Sequence, residues 1–244
     1  MPIEPYDFDV VKLLKQGFKK IEGIKQPFVM AFLLYIVVAV VVQMLLGVVF
    51  PSTQAHPNIM NQQIVTILSY PILTPILVGI MMMAIKHERK EEGALELSSI
   101  FSYYKFAGTL SMASLIIYLF TMFLPLMILF FPDYFVGLSD GSASALLVLG
   151  GIFLVLLFVM YLSIAYIFTL PLIVDKGLGA WDAMELSRKA VSVRFGKMTW
   201  VITLLSLIIV AGLLSFGLGL IWAIPLFFVT MYGMLYNNIF EEEY

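Results

Sequence analysis

The chain contains no cysteine, which excludes disulfides, a thiol nucleophile, cysteine-ligated zinc and iron–sulfur clusters, and leaves redox usage silent about compartment. Charge is scarce as well: 12% of residues are Asp, Glu, Lys or Arg, against about 25% in an ordinary soluble domain. The 16 acidic and 14 basic side chains leave a net charge of −2. No global field draws in nucleic acid, which drops out as a partner. Histidine occurs only as His56 and His87. The His-Glu-x-x-His zinc spacing, the phosphate-cradling P-loop and the dinucleotide fingerprint are all missing. No catalytic residue, cofactor-binding residue or metal ligand emerges, and the expectation is a protein that is not an enzyme and carries no cofactor.

What is present is apolar surface. Of 244 residues, 61% are hydrophobic, more than a soluble surface tolerates. A hydrocarbon core of about 30 Å takes roughly 20 apolar residues in helical form. Six stretches qualify: Pro27 to Phe50, Ile64 to Ile85, Phe106 to Phe131, Ala145 to Val174, Met198 to Leu220 and Trp222 to Ile239. In lipid every backbone N–H and C=O needs an internal partner, so uncharged runs of this length become helices, and the alternating segments of a membrane barrel are absent. The expected fold is an all-α polytopic membrane bundle with six transmembrane helices. The first stretch exceeds the roughly 7–15-residue core of a signal peptide and follows Glu4, Asp7 and Asp9 rather than a basic cap, so it reads as retained.

Orientation follows from the cations, because short loops rich in Lys and Arg stay in the cytoplasm. Lys12, Lys15, Lys19, Lys20 and Lys25 precede the first span; Lys86, Arg89, Lys90 and Lys105 lie between the second and third; Lys176, Arg188, Lys189, Arg194 and Lys197 lie between the fourth and fifth. Together they are all fourteen. The connections Pro51 to Gln63 and Asp133 to Ser144, and the turn near Ile221, carry none and are expected outside. Both termini are then cytoplasmic, although the tail Glu241, Glu242, Glu243, Tyr244 is acidic and acids contribute little to this rule.

The basic segments are themselves patterned. Val10, Val11, Leu14, Phe18 and Ile21 share one helical face, opposite Lys12, Lys15, Gln16 and Lys19. Leu97, Ile100, Phe101 and Tyr104 oppose Glu92, Glu96 and Ser99, and Ala180, Met184, Ser187, Val191 and Phe195 oppose Asp182, Glu185, Lys189 and Ser192. Three amphipathic helices at the cytoplasmic interface are expected. The single membrane domain 1–244 thus reads as three hairpin units, roughly 7–86, 92–174 and 178–240. Each has a basic residue beside Phe or Gly before the outgoing span, and proline in the returning one: Pro71 and Pro75, Pro171, Pro225. A threefold internal repeat of this kind would place a binding site on its axis.

The run Leu170-Pro171-Leu172-Ile173-Val174-Asp175-Lys176-Gly177, followed by Ala180-Trp181-Asp182-Ala183-Met184-Glu185-Leu186-Ser187-Arg188, resembles the YciC-like bacterial inner-membrane proteins. These belong to a wider group related to the membrane domain of glycerophosphodiester phosphodiesterases. The resemblance implies a bacterial inner membrane and no assigned activity, and it carries over no catalytic residue. Asp175 and Asp182 read either as a functional carboxylate pair or as structural groups. In the structural reading Asp182 sits at the positive end of a helix and Asp175 at the interface, with Lys176 and Arg188 as exposed partners. His87, within Lys86-His87-Glu88-Arg89, reads as a solvated boundary residue.

The spans hold no ionisable residue, which disfavours proton relays and charged-ion paths. Their polar content is hydroxyls and amides. Proline frees a carbonyl by removing a hydrogen bond, and Ser69, Tyr70 and Thr74 stand beside Pro71 and Pro75, while Tyr166 and Thr169 precede Pro171. Neighbouring hydroxyls either satisfy the freed acceptors or line a shared polar cavity made of these five residues. Trp181, Trp200 and Trp222 read as interface anchors. Ala211, Ser215 and Gly219 form a row of small residues permitting close helix approach. The leading expectation is a platform in envelope maintenance or interaction, with the lipid bilayer as partner and any protein partner unknown. The alternative is a transporter or channel for an uncharged or amphiphilic solute, such as a lipid ligand.

Overall fold

The computed structural model describes residues 6–51, 58–130 and 142–240, with backbone alone at 123–130 and 142–149. Glu4, His56, residues 52–57 and 133–141 of the expected connections, and the acidic tail lie outside the described residues, while residues 59–63 of the first connection already belong to a helix. The fold is all-α: six helices are long and apolar enough to cross a membrane, and no strand occurs among the described residues.

The chain opens with α1 (Val10–Lys20), whose N-terminus Asp9 caps by accepting from the Lys12 N–H at 2.8 Å. A short turn containing Gly23 at φ +88° leads into α2 (Lys25–Val49), and α3 (Ile59–Glu88) returns beside it. Pro71 and Pro75 lie inside α3 without ending it. The next segment, Leu97–Phe106, is a 3-10 helix rather than the α-helix its spacing predicts. At three residues per turn, Ile100 and Tyr103 share the buried face, and Phe101 and Tyr104 swing outward. Gly79 of α3 makes this contact possible, because a Cβ there would collide with the Ile100 backbone.

The third and fourth long helices are α4 (Ala107–Phe130) and α5 (Ser142–Ala165). The expected continuous span to Val174 is broken at 166–168, after which α6 (Thr169–Asp175) resumes. Pro171 explains the break, since it has no N–H to give to Ile167 and its ring crowds that carbonyl. α7 (Ala180–Val193) buries Ala180, Ala183, Met184, Ser187, Ala190 and Val191 and leaves Asp182, Lys189 and Ser192 exposed, as its pattern predicts. Its Ser187 repairs the break: the hydroxyl donates to Ala165 O at 2.8 Å and accepts from Phe168 N–H at 3.2 Å.

The chain ends with α8 (Phe195–Leu214), α9 (Leu220–Phe228), a π-helical stretch (Val229–Tyr236) and α10 (Asn237–Phe240), the last three forming one apolar length. The turn before α9 falls at 215–219, ahead of the expected Ile221, because Ser215, Gly217 and Gly219 supply the tight geometry there.

In the most apolar window of each helix, 6% of residues are buried in α2, 56% in α3 and 72% in Leu220–Phe240. α3 and the last helix therefore form the centre, with the core concentrated where α3 and α6 end. Ion pairs mark the same end: Lys20 with Glu88, Arg89 with Asp175, and Arg194 and Lys197 with Asp7. It is called the charged end below. α1 docks there through Leu13, Gly17 and Ile21, not through the expected Val11 and Phe18, which are 59% and 44% exposed. The reason is Gly17: having no side chain, it lets the α1 backbone approach Thr230 and Leu226, which rotates the docked face.

Candidate functional site

Three helices run back toward the charged end, and each contributes a polar group to one cluster. Arg89 caps the C-terminus of α3, just before Lys90 turns the chain aside at φ +58°. Asp175 is the last residue of α6. Tyr236 and Asn237 lie where the π-helical stretch passes into α10. The wider turns of a π-helix change the face presented by the residues that follow them, a feature common at functional sites.

The Arg89 guanidinium grips the Asp175 carboxylate with two parallel bonds, Nη1 to Oδ1 at 2.7 Å and Nη2 to Oδ2 at 3.0 Å. Tyr236 donates its hydroxyl to Oδ2 at 2.8 Å. Arg89 Nε donates to Asn237 Oδ1 at 3.0 Å, and the Asn237 amide donates onward to Ile85 O at 3.1 Å and Gly233 O at 2.8 Å. A planar guanidinium and a carboxylate joined by two bonds are strong and directional. Side-chain exposure is 18% for Arg89 and 9% for Asp175, so the pair is largely out of water. A carboxylate held by three donors and a permanently charged guanidinium offer neither a nucleophile nor a mobile proton. Chemically the cluster is a clamp joining the ends of three helices.

Sequence reasoning missed this cluster. It paired Asp175 with its chain neighbours Lys176 and Arg188, whereas the partner is Arg89, 86 residues away. Asp182 is exposed on the first turn of α7. The available signal was positional: Arg89, Asp175 and Asn237 each lie at or within one turn of the end of a returning helix, a correspondence that only an alignment of the three units would expose.

The five residues expected to line a polar cavity fall in two places. On α3, Ser69 is buried and donates to Thr66 O at 2.6 Å, Tyr70 meets Tyr118 edge-on, and Thr74 lies 3.4 Å from Ser114 Oγ of α4. At the α5–α6 break, Tyr166 is half-buried and Thr169 is fully buried. Among the described residues no hydrogen bond joins the two groups. Of the carbonyls freed by proline, Ile167 O accepts from the Tyr232 hydroxyl at 3.5 Å, while on α3 the Tyr104 hydroxyl donates to Ile72 O, next to Pro71, at 2.9 Å. Thr169 Oγ1 and Thr230 Oγ1 are buried without a partner.

Of the interface anchors, Trp181 and Trp200 are 61% and 59% exposed, and Trp222 has the Lys25 ammonium over its ring at 5.1 Å. His87, on the last turn of α3, is half-buried and makes no side-chain hydrogen bond among the described residues. The same residues include no group of three or more His, Asp or Glu positioned to hold a metal.

A second polar assembly holds the N-terminal segment across the α7–α8 junction. Tyr6 donates its hydroxyl to Ala190 O at 2.9 Å, Arg194 Nε donates to Tyr6 O at 3.2 Å, and the Lys197 ammonium bonds Asp7 and Phe8 O. Burial pushes the Tyr6 phenol up to about 12 against the opposing pull of Arg194. The Lys197 hydrogen bond, then the Phe8 amide, hold the Asp7 carboxyl below its ordinary value.

Beside that segment, the outward face of α1 presents Lys12, Lys15 and Lys19 around an open recess of about 430 Å³, lined also by Asp9, Val11 and Gln16. No family model, curated protein or solved structure matches the chain.

Proposed function

We propose that this is a non-enzymatic integral protein of a bacterial inner membrane, with both termini in the cytoplasm, acting as a platform at the cytoplasmic leaflet. The supporting observation is α1. One face is committed to the bundle through Leu13, Gly17 and Ile21, while Lys12, Lys15 and Lys19 point away from it and Val11 and Phe18 stay uncovered beside them. Ammonium groups flanked by partly exposed apolar side chains suit anionic headgroups, with the lysines at phosphate depth and Val11 and Phe18 just beneath. The resemblance of residues 170–188 to the YciC-like proteins agrees with this compartment.

Each lysine near an anionic leaflet contributes about 1 kcal/mol. A triple Lys12→Gln, Lys15→Gln, Lys19→Gln variant should therefore lose most of the enrichment of phosphatidylglycerol over phosphatidylcholine around the protein in mixed nanodiscs. Native mass spectrometry of retained lipid reads this directly. Unchanged enrichment would remove the basis of the proposal.

A second reading, transport of an uncharged or amphiphilic solute, draws support from the Thr169 and Thr230 hydroxyls, which are buried yet unpartnered. Natural interiors rarely leave such groups without a partner. Flux of a fluorescent phospholipid in proteoliposomes that is lost in Thr169→Val would favour this reading over the platform.

A further inference from the structure

The α8–α9 turn differs from an ordinary water-facing turn in three respects. First, its surface is apolar: Phe216 is 100% exposed, Leu214 80%, Leu218 67% and Leu213 56%. From Leu213 to Ile224 the one hydrogen-bonding side chain besides the Trp222 indole is Ser215, and it is consumed locally, donating to Gly212 O at 2.8 Å and accepting from Gly219 N–H at 3.0 Å. Second, most of its N–H groups are paired within the turn itself. The N–H groups of Ser215, Gly217, Leu218, Leu220, Ile221 and Trp222 all donate to carbonyls between Ala211 and Gly219. Turns in water ordinarily use Asn, Asp, Ser and Pro and leave such donors to solvent, whereas turns in hydrocarbon must pair them.

Third, the turn is not a bilayer away from the charged end. If Leu220–Phe240 ran alongside α3, the 15 residues between Trp222 and Asn237 would separate them by about 22 Å at 1.5 Å per residue. Trp222 would then stand level with the middle of α2. Instead Trp222 meets Lys25 at the start of α2, Phe228 stacks near Phe28 and Phe32, and Asn237 bonds Ile85 and Arg89 at the end of α3. The last helix therefore crosses the charged ends of α2 and α3 obliquely.

From these observations we infer that the α8–α9 hairpin enters the membrane obliquely from the charged side and ends inside it, its tip at Phe216 contacting lipid acyl chains rather than exterior water. The close approach of Gly212 and Gly219, where a Cβ on Gly219 would lie 2.6 Å from Gly212 Cα, keeps the tip narrow. Phe216 is held at φ +56°, a conformation unfavourable for a bulky residue, and it places the ring at the outermost point.

The cysteine-free chain allows a clean test. Phe216→Cys and Leu214→Cys in the full-length protein should resist a membrane-impermeant maleimide in both right-side-out and inverted vesicles, and should react at least tenfold faster after detergent extraction. Lys12→Cys and Pro51→Cys serve as accessible controls. Rapid modification of Phe216→Cys from either aqueous side overturns the inference. If that substitution disturbs folding, Trp222 reports independently in a Trp181→Phe, Trp200→Phe background. Acyl-chain bromolipids should quench it more than aqueous iodide does, and the reverse order overturns the inference.

Discussion

At the scale of single residues, the clamp concentrates most of the polar energetics near the candidate site. Removing one member of a buried ion pair strands the other and costs about 3–5 kcal/mol. The remaining exposure of Arg89 and Asp175 places Asp175→Asn or Arg89→Ala near the lower end of that range, about 3 kcal/mol. A joint Arg89→Met, Asp175→Leu change should recover part of the loss, because neither charge is then left alone. Thermal unfolding in detergent reads all three variants. A double-variant loss equal to the sum of the two single losses would show that the two groups are not coupled. Tyr236 adds one hydrogen bond to a charged acceptor, and Tyr236→Phe should cost about 1.5–3 kcal/mol.

At the scale of elements, helices here are interrupted where side chains from elsewhere can mend them. The α5–α6 break is bridged by Ser187 of α7, and the N-terminal segment is tied over the α7–α8 junction by Arg194 and Lys197. This strap has a defined pH response. Because the folded-state value of Asp7 is depressed, its contribution is present above the ordinary carboxylate value near 3.9 and is lost as pH falls through the depressed value. The strap should stay docked at pH 5 and loosen only in strong acid, whereas Asp7→Asn should loosen it at pH 7. Hydrogen exchange at the Phe8 and Asp9 amides checks this, with Asp7→Asn the faster at neutral pH. Identical protection in both proteins would mean that the carboxylate does not hold the strap.

On the scale of the whole molecule, packing is lopsided. α2 leaves Val37, Val41, Met44 and Val48 exposed, while Ile76, Ile80, Met83 and Ile85 of α3 are almost completely enclosed. In a bilayer, tails as apolar as the side chains cover α2 at little gain, so helix association rests on close packing and internal hydrogen bonds. Ile80→Ala should therefore cost about 2–5 kcal/mol, and Val41→Ala within about 0.5 kcal/mol, measured as chemical unfolding in the same detergent. Comparable losses at both sites would mean that α2 is packed against something besides lipid.

Much of this architecture was legible in the chain itself. The apolar lengths determined an all-α membrane protein with six helices of spanning length, because a backbone without water must bond to itself, and that requirement depends on composition alone. The face of α7 followed from its spacing for the same local reason. The tertiary structure decided what depends on neighbours. Gly17 rotated α1 on its docking face, Gly79 allowed a 3-10 segment to press against α3, and the turn at 215–219 together with Pro225 and the π-helical stretch set the last helix across the charged end. Asp175 found Arg89 rather than Lys176 because a guanidinium seeks the geometry of two parallel bonds, and which carboxylate offers it is a matter of three-dimensional proximity that spacing along the chain does not encode.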